Sequence, residues 1–180
     1  PVQNEIVRIL DNFTELTAEL KLQLTEELAA RKKQYEYYRV KLLTFGDEIE
    51  RVSIGDICDV LTGGEAPENT IKGDVSDESH PYPVFGNGKE VYGYTDSYRV
   101  DKDAVVISSI GANTGAVYYR KAFFTPIIRL KVIVPKTSEI SNRYLFHAVS
   151  ITSFSSKSSS VPNMNANDIK KAIIPLPPFE

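Results

Sequence analysis

Few side chains in this sequence could perform covalent chemistry. It contains two histidines, His80 and His147, and one cysteine, Cys58, which leaves too few ligands for an internal disulfide or a typical metal site. A Ser-His-Asp triad would need one of these histidines, and neither lies in a pattern typical of a triad. We therefore expect no catalytic residue and no metal. Cys58 stands in an apolar run, and we expect it to be buried.

The glycine-rich segment Gly86–Lys89 does not form a nucleotide site either. It lacks the first glycine of a phosphate-binding loop, and Glu90 stands where Ser or Thr must bind magnesium. Carboxylates are abundant between Asp47 and Asp103, but their spacing does not pair two of them into an acid–base site. These observations favour a binding protein over an enzyme.

The charges are distributed unevenly along the 180 residues, whose net charge is -3. Residues 47–103 contain 14 acidic and five basic residues, whereas residues 104–171 contain nine basic and two acidic residues. Such asymmetry within one small domain predicts a basic face that could bind nucleic acid. The alternative is that the two halves interleave in space and their charges cancel.

Residues 2–43 contain no Gly and no Pro and are rich in good helix formers, which predicts one long helix. Apolar residues recur along it at steps of three, four or seven. Because such a rod is longer than a small domain can cover, we expect a coiled-coil partner along this apolar stripe. The residues assigned to the coiled coil are Phe13, Leu16, Leu20, Leu24, Leu28, Tyr35 and Tyr38. A four-residue near-repeat over 13–28 would change the rod by about 6 Å per unit inserted or deleted.

Beyond Gly46, which we predict to cap the helix, the pattern changes to short strands and turns. The sequence thus predicts an α+β chain: one long, coiled-coil-forming helix over 1–46, and a mostly β domain with short helices over 47–180. Predicted strands are 49–54, 82–85, 90–94, 104–109, 116–119, 127–134 and 172–175. A helical turn at 56–60, a loop over 62–83, a helix at 142–151 and a short helix near Asp168 complete the prediction.

The sequence has neither an apolar run approaching the roughly 20 residues of a membrane span nor a signal-peptide pattern. Together with the single cysteine, this favours a cytoplasmic protein with no membrane partner.

Four segments resemble one known family, the specificity subunits of type I restriction–modification systems. They are Tyr82–Gly88 with Val91–Asp96, Gly111–Tyr119, Ile173–Pro178, and the helix segments Gln3–Asp11 and Arg31–Arg39. They occur in the family's order and cover nearly the whole chain.

The resemblance implies a subunit that performs no chemistry itself and binds no cofactor. A specificity subunit carries two target-recognition domains, each of which reads half of a split duplex DNA site. Two long helices pack antiparallel and set the distance between the half-sites. Methylation subunits dock on the helices, bind S-adenosylmethionine and methylate adenine, and a restriction subunit cleaves.

The resemblance covers one recognition domain and one helix, so the chain is similar to a half-length form. In the family, a proline-rich segment like the one that ends at Pro178 is followed by a helix start like the one at Gln3. We therefore expect an antiparallel homodimer that reads a palindromic, interrupted site. In this family a basic residue often stands near the glycine turn, whereas Ser108 and Ser109 precede Gly111 here. The residues that we predict to contact DNA are Lys89, Tyr92, Asn113, Thr114, Arg120, Lys121, Lys157, Ser158, Asn163 and Asn165.

Two alternatives stay open from the residues alone. The chain could be a coiled-coil adaptor or decoy that binds methylation subunits with little DNA binding of its own. It could also be an enzyme whose site carries no recognised motif. Sequence-specific binding that weakens steeply with salt would separate the leading interpretation from the first alternative.

Overall fold

The computed structural model describes residues 1–152, 154 and 164–178, and the chain divides into two units, Pro1–Thr44 and Phe45–Glu180. The first unit is one helix, α1, over Val2–Leu43, which confirms the predicted long helix. Its 42 residues make a rod of about 63 Å at 1.5 Å per residue. None of the residues of α1 is buried, and the four leucines of the apolar stripe are each more than half exposed.

The predicted glycine cap at Gly46 is wrong. The helix ends at Leu43, and Thr44 adopts an extended backbone with φ -95° and ψ 106°. The Thr44 hydroxyl donates a hydrogen bond of 2.8 Å to the Val40 carbonyl. The chain therefore leaves the helix through an extended residue whose side chain satisfies one of the last carbonyls, without a left-handed glycine.

The second unit is mostly β, as predicted. Its described elements are β1 (Arg51–Ser53), α2 (Ile54–Ile57), β2 (Cys58–Thr62), β3 (Ile71–Lys72), β4 (Tyr82–Phe85), β5 (Gly93–Thr95), β6 (Ala104–Ile107), β7 (Val117–Arg120), β8 (Thr125–Pro126), β9 (Lys131–Pro135), α3 (Asn142–Ile151), α4 (Ala166–Lys170) and β10 (Ile173–Pro175). A central antiparallel sheet has the order β2-β9-β6-β7. A second sheet has the order β3-β5-β4-β8, and β1 pairs with β10.

The central sheet separates two hydrophobic cores because successive side chains of a strand point to opposite faces. On β6, Val105 and Ile107 pack in the core that contains α3, whereas Ala104 and Val106 pack in the core that contains Phe85 of β4. All four of these β6 side chains are fully buried. The domain is therefore a layer of helices, the central sheet and the second sheet, stacked in that order.

Elements that depend on local periodicity were predicted well, and elements that depend on distant partners were not. The helix over 142–151 and the pairing of β4 with β5 are confirmed. The strand predicted over 127–134 is wrong in its first half, because Ile128 and Arg129 adopt left-handed backbones with φ of 51° and 60°. The helical turn predicted at 56–60 is wrong over 58–60, because α2 ends at Ile57 and these residues belong to β2. The strand predicted over 49–54 is limited to 51–53.

Two adjacent glycines offer a matched test of this packing. Gly63 is buried, and a Cβ there would lie 2.8 Å from both the Ile127 nitrogen and the Pro126 carbonyl carbon. At Gly64 the nearest atom is the end of the flexible Arg99 side chain, at 3.0 Å. We expect Gly63→Ala to lower the free energy of unfolding by about 1–3 kcal/mol, and Gly64→Ala to change it by less than about 0.5 kcal/mol. Urea denaturation of the two variants measures the difference, and equal losses would contradict this account of Gly63.

Candidate nucleic-acid interface

One edge of the second unit collects the ends of several strands. Lys131 begins β9 and pairs with the last residues of β2 and β6, Thr62 and Ile107. The second sheet joins this edge because β4 and β8 are parallel, so the chain leaves both strands at the same end. We call the segments 63–64, 86–92, 108–116 and 127–130 together the loop edge.

The side-chain amide of Asn87 connects three of these segments. Its oxygen accepts hydrogen bonds from the Ser109 backbone nitrogen at 2.7 Å and the Ser108 hydroxyl at 3.3 Å. Its nitrogen donates to the Ile128 carbonyl. These partners lie between 21 and 41 residues away in sequence, so the amide ties loops that nothing local would bring together.

The turn 127–130 is fixed at both of its left-handed residues. The Ile128 nitrogen donates to the Gly64 carbonyl at 2.8 Å, and the Arg129 nitrogen donates to the Gly63 carbonyl at 3.0 Å. The Arg129 carbonyl accepts from the Ser109 hydroxyl at 2.7 Å. Every peptide group of these two residues is therefore satisfied inside the domain, while both residues are exposed.

The turn between β6 and β7 is built by its two glycines, Gly111 and Gly115, whose φ values of 80° and 89° favour residues without a Cβ. The Gly115 nitrogen donates to the Ser108 carbonyl at 2.8 Å. The Thr114 hydroxyl donates to the Gly111 carbonyl at 2.7 Å. Asn113 is left exposed at the tip.

Arg120 supports the 86–92 loop from inside. Its guanidinium carbon lies 3.9 Å from the Phe85 ring centroid and 5.1 Å from that of Tyr118. One guanidinium nitrogen donates to the Gly88 and Lys89 carbonyls at 3.2 and 2.8 Å. Burial lowers the pKa of Arg120 below its ordinary value.

A buried cation lies at the start of β9. The Lys131 residue is 6% exposed, and its ammonium donates to the Thr62 hydroxyl at 3.1 Å. Burial lowers the pKa of Lys131, and the positive charge of Arg129 lowers it further. Two cations thus act on each other at this edge, where a negatively charged partner would stabilise both.

The loop edge brings together part of the predicted DNA contacts. Lys89 and Tyr92 are exposed on the 86–92 loop, and the Lys72 ammonium lies 5.8 Å from the Tyr92 ring centroid. Asn113 and Thr114 lie on the glycine turn. Asn165 follows Met164, whose backbone nitrogen donates to the Ser109 carbonyl. The Asn165 side chain caps α4 by accepting from the Asp168 nitrogen.

Of the other five predicted contacts, Arg120 already donates to the Gly88 and Lys89 carbonyls. Lys121 lies at the opposite end of β7, where its ammonium is 3.1 Å from an Asp103 carboxylate oxygen. Lys157, Ser158 and Asn163 fall outside the described residues. The DNA contacts of the ten residues therefore stay a prediction, and their positions favour five of them: Lys89, Tyr92, Asn113, Thr114 and Asn165.

Sequence reasoning missed Arg129 and the role of Asn87. Arg129 follows two isoleucines in what reads as a strand, and its left-handed backbone depends on carbonyls of the distant Gly63–Gly64 segment. Asn87 lies in a recognised glycine motif, which is the one signal that marked it.

A groove of about 840 Å³ elsewhere on the second unit is lined mainly by acidic side chains. It is lined by Glu48, Glu50, Asp56, Glu139 and Lys136, with apolar residues of the Leu176–Pro178 segment among the others. Four carboxylates against one ammonium disfavour a phosphate backbone here. The charges therefore favour the loop edge over this groove as a candidate surface for nucleic acid.

Residues that could do covalent or metal chemistry remain separate in the described structure. Cys58 is buried as predicted, and burial raises the pKa of its thiol to about 12, which makes the nucleophilic thiolate scarce at neutral pH. Among the described residues, no group of three His, Cys, Asp or Glu side chains could hold a metal ion. In that same part of the chain, we find no helix long and apolar enough to cross a membrane.

In the first unit, the apolar stripe of α1 forms a shallow groove of about 420 Å³. Leu20, Leu24 and Leu28 line it together with Thr17, Lys21 and Thr25. Three leucines at steps of four are the kind of surface that a second helix covers.

The Asn87 amide can be tested by an isosteric change. Asn87→Asp keeps the acceptor for the Ser109 nitrogen but loses the donor to the Ile128 carbonyl. We expect the free energy of unfolding to fall by about 1–3 kcal/mol at pH 7. Because a protonated carboxyl regains a donor, the loss should shrink as the pH falls through the pKa of the introduced carboxyl.

The matched control is Asn113→Asp, which adds the same charge at an exposed position of the same edge. Denaturation at pH 7 and pH 4 compares the two variants with the parent chain. Equal losses in both variants at both pH values would show that the Asn87 bridge does not stabilise the loop edge.

Comparison with known proteins agrees with this architecture. The sequence model of the type I restriction modification DNA specificity domain matches residues 46–180. The specificity subunit of the Escherichia coli type I restriction enzyme EcoprrI is 36% identical over 99% of this chain and 45% of that protein. A Mycoplasma pneumoniae protein named as a type I specificity subunit is 30% identical over 98% of this chain and 48% of its own length.

The chain thus spans about half the length of the curated relatives it matches. A chain from a solved structure of the type I R-M system shares the fold, with a TM-score of 0.61, 15% identity, and coverage of 96% of this chain and 47% of that one. With a family match over residues 46–180 and the same helix-plus-sheet fold, this chain belongs to the family of type I restriction modification DNA specificity domains.

Proposed function

We propose that this chain is a non-catalytic DNA-specificity component of a type I restriction–modification complex, and that its loop edge reads one half of a bipartite duplex site. The observation that carries the proposal is the Asn87 bridge, which fixes three loops against one another while Lys89, Tyr92, Asn113 and Arg129 remain exposed on them. Fixed loops with exposed polar tips are what base recognition requires.

The residue types on the loop edge suit both kinds of DNA contact. Lys89 can neutralise a phosphate, and such contacts set affinity and its dependence on salt. Asn113 carries an amide that can pair with an adenine edge, and Arg129 carries a guanidinium that can pair with guanine. Arg120 takes an internal part, because its guanidinium already stacks on Phe85 and donates to loop carbonyls.

The partners follow from the family. The curated relatives are named as specificity subunits of type I restriction enzymes, so methylation and restriction subunits are the expected protein partners in the cytoplasm. S-adenosylmethionine would be bound by the methylation subunit. In this proposal the chain supplies positioning and sequence discrimination, and the other subunits supply the chemistry.

A second copy of the chain is the proposed partner of α1. Phe13, Leu16, Leu20, Leu24, Leu28, Tyr35 and Tyr38 are each exposed by about half or more. Two such helices related by a two-fold axis would cover the stripe in an antiparallel pair. Two identical domains related in this way must read a palindromic, interrupted site.

Selection from a pool of random duplex DNA tests the function. The full chain, co-expressed with its cognate methylation subunit, should enrich a bipartite sequence. Its binding should weaken steeply as salt rises. Lys89→Ala should weaken binding to all sequences alike and lower the salt slope by about one, because one phosphate contact is lost.

Lys102→Ala, an exposed lysine next to Asp103 at the opposite edge, is the matched control and should leave the slope unchanged. Binding to the methylation subunit without enrichment of any sequence would favour the adaptor alternative. Turnover by the isolated chain would favour an enzyme.

The dimer is tested by charge on the apolar stripe. Leu20→Glu with Leu24→Glu places four carboxylates across the proposed two-fold seam, and we expect sedimentation to show a monomer that no longer binds specifically. Ala18→Glu with Ala29→Glu adds the same charges about 120–180° around the helix from Leu20 and Leu24 and should leave the dimer intact. A monomeric parent chain, alone and with methylation subunits, or an asymmetric recognised site, would rule out the homodimer.

A further inference from the structure

The turn 127–130 contains two residues in a backbone conformation that their side chains disfavour. Ile128 and Arg129 have φ of 51° and 60°, and a β-branched residue in this region is a genuine outlier. Such conformations persist where the surrounding structure over-determines them, and they cluster at functional sites. An observed outlier of this kind calls for a functional explanation.

Hydrogen bonds from three other segments impose the conformation. Gly63 and Gly64 accept from the two peptide nitrogens, and Ser109 and Asn87 donate to the two carbonyls. The backbone below the Arg129 side chain is thus fixed at both neighbouring peptide groups. The core gains nothing from these side chains directly, because Ile128 is 47% exposed and Arg129 is also exposed.

The Arg129 guanidinium differs from those of Arg51, Arg120 and Arg143 on the same domain. Arg120 donates to two carbonyls, Arg51 donates to the Phe45 carbonyl, and Arg143 lies over the Tyr119 ring at 4.7 Å. For Arg129, the described residues supply no side-chain hydrogen bond, ion pair or ring contact. Its charged neighbour is the Lys131 ammonium, a like charge.

This turn holds two left-handed residues and presents, beside a second cation, a guanidinium that has no side-chain partner among the described residues. Such an arrangement is suited to one kind of partner. The partner must carry electronegative acceptor atoms, and its binding must depend on a fixed position of the guanidinium. A phosphate satisfies the first condition, but a flexible lysine on an ordinary loop would bind it as well. A guanine edge satisfies both, because its O6 and N7 atoms accept two parallel hydrogen bonds from one guanidinium in a defined geometry.

We propose that Arg129 is a specificity-determining residue that recognises a guanine in the half-site. This inference rests on the proposed function of the loop edge and adds the residue and the base. Asn87 and Ser109 act as positioning residues that fix the backbone on either side of the Arg129 nitrogen and carbonyl. The left-handed turn leaves the Arg129 side chain exposed.

Arginine-to-lysine exchange separates base recognition from charge. Arg129→Lys keeps the positive charge but loses the two-pronged contact, so the enriched half-site should lose a guanine preference of about 5- to 150-fold at one position. Its salt slope should equal that of the parent chain, because no charge is removed. Arg143→Lys makes the same exchange on α3 and should leave the enriched sequence unchanged.

The experiment is random-duplex selection with the full chain and its methylation subunit, run in parallel for the parent and both variants. Thermal unfolding midpoints that match the parent verify that the variants are folded. The inference about Arg129 is wrong if the Arg129→Lys variant enriches the parent's sequence with every guanine preference intact. It is also wrong if Arg129→Ala lowers the salt slope by about one while the enriched sequence stays the same, since that behaviour marks a phosphate contact.

The parent chain separates the two levels of the argument. A parent that enriches a bipartite sequence supports the proposed function whatever the Arg129 variants do. A parent that enriches no sequence overturns the proposed function and the inference together.

Discussion

The loop edge depends on one hydrogen-bonding group, the side-chain amide of Asn87. Its two ends have opposite roles, since the oxygen accepts from Ser109 and the nitrogen donates to the Ile128 carbonyl. A carboxylate could only accept and an ammonium could only donate, so an amide is the group that can connect both loops at once. Because these loops belong to different sheets, the amide also fixes the second sheet against the central one at the edge where we propose that DNA binds.

The two hydrophobic cores stabilise the central sheet enough to support the strained turn 127–130. β6 is buried on both faces, so the strand that leads into the Ser108–Ser109 segment cannot shift without disturbing either core. Large-to-small changes in such cores cost about 2–5 kcal/mol, which exceeds the roughly 1–3 kcal/mol of strain expected at each left-handed residue. The rigid sheet therefore keeps Ile128 and Arg129 in left-handed conformations. The same turn would relax if the strands that support it could shift.

The sequence was sufficient for features whose cause is local. The long helix and α3 follow from periodicity, and Gly111 and Gly115 mark a turn by their identity. The 127–130 turn could not be foreseen, because the carbonyls that impose it come from the distant Gly63–Gly64 segment. Arg120 is the opposite case, a residue that the sequence marked as a DNA contact and that the fold places in an internal role. As an isolated basic residue it looked like a DNA contact, and only the fold shows that its guanidinium stacks on Phe85.

The loop edge contains two kinds of residue, those that hold the loops together and those whose side chains are exposed on them. Lys89, Asn113 and Arg129 are exposed, and none of their side chains has a hydrogen bond or ion pair to the described residues. Surface substitutions of this kind change stability by about 0.5 kcal/mol or less, whereas the same substitutions change which base edge can be paired. Asn87, Ser109 and Gly63 have the opposite property, since each is tied to backbone groups of other loops. In the proposed interface, such a domain would recognise a new DNA sequence when its exposed loop residues change, while its fold and its long helix stay the same.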